Sequence, residues 1–395
     1  MNSKGFCFFY IIICCLHSLL WAIGNPVVRL GILLLFILVP LYHFIYVNLH
    51  YKTGPFIKAL NALFLMLSIY GIILIISGEQ ITSPIFGVVK NQTYIIKIAK
   101  SLLPFYSFYA FTRNSVLNEK NTRWWVLIFF IVAIVSYYHN RQILLKEYMD
   151  YIQDWDGFTN NYGYAVASLI PLTIFFAKKP LIQYLLLGVC VIFALMSVKR
   201  GAILVSLLCL VYCVYYISIK GHKGPIGLRP ILLSFMIIFF VYITIDNLLE
   251  TNSFFNAKIG AAFQGDDNSR SDIASLMIYH LRNNATPFEL LFGGGAYNTV
   301  RVTGYLAHND WLELLMNQGL LGIIVYLIYW ISLIKTWIKT AAHELYSNGI
   351  ALFIIIFFTK TFFSMSYEEI DFYSMLVLAF CISRVDSGIF IQQQE

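Results

Sequence analysis

Residues 58–77 read KALNALFLMLSIYGIILIIS. Beyond Lys58 the stretch carries no charge, and its only polar side chains are those of Asn61, Ser68, Tyr70 and Ser77. A helix rises about 1.5 Å per residue, so about twenty residues cover roughly 30 Å, the thickness of a bilayer's hydrocarbon core. Lipid offers no partner to a backbone N–H or C=O, and a helix satisfies its own within one segment. The stretch therefore predicts a membrane-spanning helix, and with it the class of fold.

Outward from it the pattern repeats. Apolar runs at about 6–23, 28–47, 58–77, 95–112, 124–140, 160–177, 181–197, 202–219, 230–249, 310–333, 346–363 and 372–384 predict about twelve transmembrane helices. Composition agrees: 59% of the 395 residues are hydrophobic and 12% charged, about half the roughly 25% usual in soluble domains. Such a chain would expose apolar surface in water, which excludes a soluble enzyme, a disordered tail and a fibrous repeat. The expected fold class is an all-α integral membrane protein. A net charge of +7 does not point to nucleic acid, because membrane proteins acquire such an excess from cations anchoring their inner loops. Cys7, Cys14, Cys15, Cys190, Cys209, Cys213 and Cys381 all fall in apolar runs and read as buried apolar residues, not as disulfides or metal ligands. The first run lacks a small-x-small cleavage site and is followed at once by another, so it is expected to be an uncleaved helix and not a signal peptide.

The connections set the orientation. With the N-terminus cytoplasmic, inner loops collect Lys4, Lys52, Lys58, Arg113, Lys120, Arg123, Lys178, Lys179, Lys220, Lys223, Arg229, Lys335, Lys339 and Arg384, a modest bias in the sense of the positive-inside rule. Both termini are then cytoplasmic. The chain divides into helices 1–9 over 1–249, a hydrophilic loop at 250–309 on the outer face, and helices 10–12 with a short tail over 310–395. A loop of about 60 residues is usually functional or disordered, and this one has a pattern. Ile273, Leu276, Met277, His280 and Leu281 form one face of an amphipathic helix over 271–283, terminated by Asn283, Asn284 and Pro287. That helix would lie on the membrane surface or cap the bundle. Gly293–Gly295 permit a tight turn or a close backbone approach.

Several residues could carry chemistry. Arg270 stands at the start of the loop helix, where the dipole disfavours a cation by a few tenths to about 1 kcal/mol. A bound anion reverses that preference; pairing with Asp266, Asp267 or Asp272 is the alternative, and the spacing leaves both open. Lys199 and Arg200 occupy a short outer hairpin, either as a phosphate clamp or as cations snorkelling to headgroups. His308 closes the large loop, and its imidazole is the side chain here suited to proton transfer near neutrality, although a lone histidine is more often structural. Asp310 and Glu313, just after it, read as an N-cap acid followed by a glutamate, close to a capping box. Gly319 and Gly322, with Asn317 and Gln318, place small and polar residues inside a span, a sign of close packing. Lys360 is an intramembrane cation, either functional or snorkelling towards Glu368, Glu369 or Asp371. Arg301 and Asn309 complete the candidate substrate-binding set of Lys199, Arg301, Asn309, Glu313 and Lys360. No nucleotide loop, His-Glu-x-x-His or metal cluster is present, so no metal or cofactor is expected.

Taken together, Ser269-Arg270, the amphipathic helix, Pro287, Leu291-Phe292-Gly293-Gly294-Gly295, Ala307-His308-Asn309-Asp310-Trp311-Leu312-Glu313-Leu314-Leu315, Gly319 and Leu321-Gly322 resemble the O-antigen polymerase and ligase superfamily. Ser197-Val198-Lys199-Arg200-Gly201 is similar to that family's second signature, a Ser-x-x-Arg-Gly hairpin. The specific match covers about 195–335, roughly a third of the chain; elsewhere the likeness rests on span count and layout. The resemblance implies a glycosyltransferase of the bacterial inner membrane, with the large loop periplasmic. Such proteins move a glycan from an undecaprenyl-pyrophosphate carrier to an acceptor hydroxyl without nucleotide sugar or metal. Carried over, Arg200 and Arg270 would hold the donor pyrophosphate and His308 would lie at the acceptor hydroxyl. The partners implied are undecaprenyl-pyrophosphate-linked oligosaccharide, the lipid bilayer, a chain-length regulator and a flippase, with no nucleic acid.

The chemistry of the residues agrees: two guanidinium groups beside a helix N-terminus can neutralise a leaving pyrophosphate, and an attacking hydroxyl needs a proton acceptor. The acids after His308 look more like polymerases, which extend one carrier-linked repeat unit with another, than like ligases, which use lipid A–core. A transporter or flippase of lipid-linked sugars is the reading from a different class. It would place cations within spans and use alternating access, whereas here they gather at the outer face.

Overall fold

The computed structural model describes residues 3–84, 87–149, 160–216, 228–252, 255–257, 260 and 270–388. Lys220, Lys223, Asp266, Asp267, Ser269 and the tail at 389–395, all used above, lie outside the described residues. The helices run α1 (Lys4–Ser18), α2 (Pro26–His50), α3 (Pro55–Ser77), α4 (Gln92–Leu102), α5 (Pro104–Arg113), α6 (Glu119–Met149), α7 (Tyr162–Ala167), α8 (Pro180–Met196), α9 (Arg200–Tyr215) and α10 (Leu228–Thr251). They continue with α11 (Arg270–Asn283), α12 (Pro287–Phe292), α13 (Asn298–Thr303), α14 (Asp310–Lys339), α15 (Glu344–Lys360) and α16 (Phe372–Asp386).

Within the described residues each apolar run is mainly helical. Within the described residues, five helical segments are long and apolar enough to cross a membrane: Pro26–His50, Pro55–Ser77, Glu119–Leu144, Ile231–Thr251 and Asp310–Lys339. Their boundaries follow local chemistry. Asn25 caps α2, its Oδ1 accepting from Val27 N at 2.9 Å, with Pro26 in the first turn. Gly78, at φ +64°, ends α3 in the left-handed conformation.

Several runs depart from a single continuous helix, two of them near a proline. The run at 95–112 is broken into α4 and α5 at Leu103, because Pro104 supplies no N–H and fits only a first turn. The run at 160–177 is α7 followed by a 3-10 stretch, Ile170–Phe176, with Pro171 near its start. An antiparallel pair, β1 (Ile81–Ser83) and β2 (Gly87–Val89), joins α3 to α4 with Ile81 opposite Val89; the sequence reading had not anticipated it.

Burial runs from the inside out as a membrane protein requires. Residues 104–112 of α5 are all buried, as are residues 372–383 of α16, and these two helices pack on each other. By contrast α2 turns Leu30, Leu34, Leu38 and Ile45 outward, and α10 exposes Phe235, Phe239 and Phe240. Apolar faces of that extent need lipid. All seven cysteines are free, six of them buried and Cys15 half-buried.

Several contacts tie distant segments together: Arg301 meets Glu79, Ser83 donates to the Gly304 carbonyl, the Asn160 N–H donates to the Ser197 carbonyl, Tyr51 donates to Asn114 and Tyr109 donates to Asp386.

The large loop is pinned by its glycines. Gly319 (φ +65°, ψ −159°) breaks α14. The carbonyls of Met316 and Asn317 are taken up by the N–H groups of Gly294 and Gly295, each at 3.0 Å, and Asn298 Nδ2 adds a bond to Met316 O at 3.1 Å. Without Cβ atoms at 293 and 319 the two backbones touch. The close approach expected of Gly293–Gly295 is thus to α14 itself.

Helix α11 starts and ends where the sequence placed it. Its buried stripe is narrower than expected: Met277 is fully buried and Ile273 and Leu281 pack beside Ala307 and Met316, but Leu276 is 53% exposed.

Candidate functional site

At the end of the bundle where α7, the 197–199 hairpin and the 361–371 segment meet lies a cavity of about 700 Å3. Four ammonium groups border it, those of Lys97 and Lys100 from α4, Lys199 from the hairpin and Lys360 from the end of α15. Glu368, Glu369 and Asp371 supply carboxylates, and His308 supplies an imidazole. Tyr162, Tyr164, Asn140 and Asn161 form a polar, aromatic flank.

The hairpin is built to hold its cations still. Ser197 Oγ donates to Ala194 O at 2.6 Å and accepts from Lys199 N at 3.2 Å. Val198, at φ +54°, makes the reversal, and α9 begins at Arg200. A Cβ at Gly201 would collide with the Tyr164 hydroxyl and the Phe363 ring. Only glycine lets those two residues approach the start of α9.

Phe363 is also where α11 arrives, since Arg270 Nη1 donates to its carbonyl at 3.1 Å. The N-termini of α9 and α11 therefore meet at one residue. Arg270 takes this carbonyl and does not pair with Asp272. Neither Arg200 nor Arg270 lines the cavity, whereas Lys199 and Lys360 do. Their ammonium groups lie 5.9 and 4.8 Å from the centroid of the Tyr164 ring, within cation–π range.

His308 occupies the left-handed region at φ +50°, a conformation that costs a non-glycine residue about 1–2 kcal/mol. Both neighbours impose it. Glu313 Oε2 accepts from Ala307 N at 2.8 Å, and Asn309 caps α14 by accepting from Trp311 N at 3.0 Å and Leu312 N at 3.1 Å. Partial burial holds the His308 imidazole below its ordinary pKa, with Arg270 and Lys199 adding to the effect and Glu369 opposing it. The ring is neutral near pH 7 and able to accept a proton.

The N-cap differs from the expectation by one residue. Asn309, not Asp310, is the cap, so Asp310 and Glu313 form no capping box. Asp310 is buried, accepting from Tyr326 Oη at 2.6 Å and Ser366 N at 2.7 Å. Glu313 is buried too, and accepts from Thr299 Oγ1 at 2.5 Å and Asn317 Nδ2 at 2.8 Å as well as from Ala307. Both carboxylates replace backbone and hydroxyl partners that a loop would otherwise leave unpaired. A capping box does occur, between Thr286 and Glu289.

Arg301 bridges Glu79 at 2.8 Å and the Gly294 carbonyl at 2.6 Å, and it does not border the cavity. Its role here is to tie the large loop to the 78–91 connection. Lys360 pairs with Glu369 at 3.3 Å, one of the three partners expected for it. Lys97 and Lys100 are cavity residues that the sequence reading passed over. Cations inside an apolar run are suspects by default, and the criterion applied to Lys360 would have found them. Tyr164 had no comparable signal. Among the described residues, no group of three His, Cys, Asp or Glu side chains is placed to hold a metal ion.

No family model, curated protein or solved structure matches the chain.

Proposed function

We propose that the chain is a glycosyltransferase that polymerises undecaprenyl-pyrophosphate-linked oligosaccharide repeat units into O-antigen or capsular polysaccharide on the periplasmic face of the bacterial inner membrane. The observation that carries this reading is the convergence on one cavity of a neutral imidazole, His308, with the cations Lys199 and Lys360, backed by Arg200 and Arg270 at two helix N-termini. The proposed topology is twelve crossings with both termini cytoplasmic, which puts the cavity on the periplasmic side.

In the reaction, an acceptor sugar hydroxyl attacks the anomeric carbon of the donor glycan. The bond from that carbon to the pyrophosphate oxygen breaks, configuration inverts, and undecaprenyl pyrophosphate leaves with the bonding electrons. His308 takes the hydroxyl proton, a contribution typically of 10²–10⁴-fold. The guanidinium and ammonium groups neutralise the charge that develops on the leaving pyrophosphate. Glu313 is a positioning residue, holding the backbone at Ala307 so that His308 keeps its geometry.

The test is a lipopolysaccharide or capsule gel from a deletion strain complemented with wild type or His308→Ala. Core carrying a single repeat unit, restored to a ladder by wild type alone, is the expected result. Bare core with polymer accumulating on the carrier would mean a ligase. A normal ladder in the deletion strain would overturn glycosyl transfer.

A further inference from the structure

Lys360 ends α15 with its side chain only 3% exposed, yet its ammonium borders the cavity. Three groups meet that ammonium. The Glu369 carbonyl oxygen and Glu369 Oε2 each accept from Nζ at 3.3 Å, and the Tyr164 ring lies 4.8 Å away. An ammonium has three donors, and two of these supports are fixed, one a backbone carbonyl and the other a ring packed against Gly201. The third is free to move, because the Glu369 side chain is 52% exposed.

Its neighbour differs. Glu368 is 1% exposed at the side chain and held by Lys97 at 3.4 Å. An exposed carboxylate can turn to water, while the buried ammonium cannot follow, so an entering anion can take the place the carboxylate leaves. Lys199 lies over the same ring, so an entering diphosphate would meet both ammonium groups.

Resting on the glycosyl-transfer reading, we propose that Glu369 competes with the diphosphate of donor and product for Lys360. The carboxylate swings away as the polyprenyl diphosphate enters and returns to displace it after transfer. Lys360 is then a diphosphate-binding residue and Glu369 a determinant of affinity and of product release. Without the competitor, the product would be held as tightly as the cations allow.

Binding of undecaprenyl diphosphate to the full chain in detergent, measured by microscale thermophoresis, tests this. A competitor worth no more than a partly exposed ion pair lowers the competent fraction a few-fold, so Glu369→Gln should tighten binding by about two- to tenfold. Lys360→Met should weaken it by tenfold or more, and in the Lys360→Met background Glu369→Gln should change nothing. Unchanged or weaker binding by Glu369→Gln, or equal tightening in both backgrounds, would overturn the proposal. If binding depends on Arg270 yet ignores Glu369→Gln, only this inference fails. If the wild-type chain binds no undecaprenyl diphosphate, the glycosyl-transfer reading fails and carries the inference with it.

Discussion

His308 is held from both sides, by Glu313 through the Ala307 N–H and by the Asn309 cap, and its backbone is forced into a conformation that histidine does not choose. The arrangement makes two predictions at this scale. Burial, with the Arg270 and Lys199 charges, holds the imidazole below its ordinary pKa, so it is mostly neutral at pH 7. Polymer formation by membranes should fall as His308 takes up its proton, with a midpoint more acidic than that of an unperturbed histidine. A loss centred above 6.5 would remove His308 from the role of base. Glu313→Gln removes an acceptor from a carboxylate that serves three donors, a change costing about 1–3 kcal/mol. It should lower turnover while leaving undecaprenyl diphosphate binding near wild type, since Glu313 makes no ion pair with a cation of the cavity. The residue types here were legible and their register was not. Asn309 and Asp310 are both good caps, and only the bond from Ser366 N shows which of them the fold buries.

Elements place these residues, and glycines place the elements. Gly201 lets Tyr164 and Phe363 close on the start of α9, so Gly201→Ala should overpack that contact at about 1–3 kcal/mol and displace Arg200. The expected outcome is a lower melting point in detergent together with lost polymer, whereas lost polymer at an unchanged melting point would place the defect elsewhere. Gly319→Ala should be worse. Its φ and ψ lie in a region essentially restricted to glycine, and its Cβ would enter the backbone of residues 291–292. The variant should lose the cooperative melt or fail to accumulate. Helix α11 was legible from its period alone, whereas the break at Leu103 required weighing Pro104 against an otherwise continuous apolar run. The narrow buried stripe of α11 could not be read at all, because Leu276 and Met277 are equally apolar and tertiary packing alone separates them.

Over the whole molecule, hydropathy and charge predict an alternating thread of about twelve spans, and among the described residues five helical segments are long and apolar enough to cross a membrane. The cavity was not legible at this scale. It is assembled from segments far apart in sequence, and no local pattern says that Lys97 will face Glu368. The placement of the cavity outside the cytoplasm rests on the positive-inside bias. The chain itself offers a clean assay, since its cysteines are free and none is exposed, leaving little background for a membrane-impermeant maleimide. Single cysteines replacing Glu79, Lys90 and Asn284 should label on intact cells from which the outer membrane has been removed, whereas those replacing Lys52, Lys178 and Lys339 should label only after lysis. The reverse pattern would put His308 and its cations in the cytoplasm, where a periplasmic polymerase could not use them. Mixed labelling within either set would break the alternating thread on which the site depends.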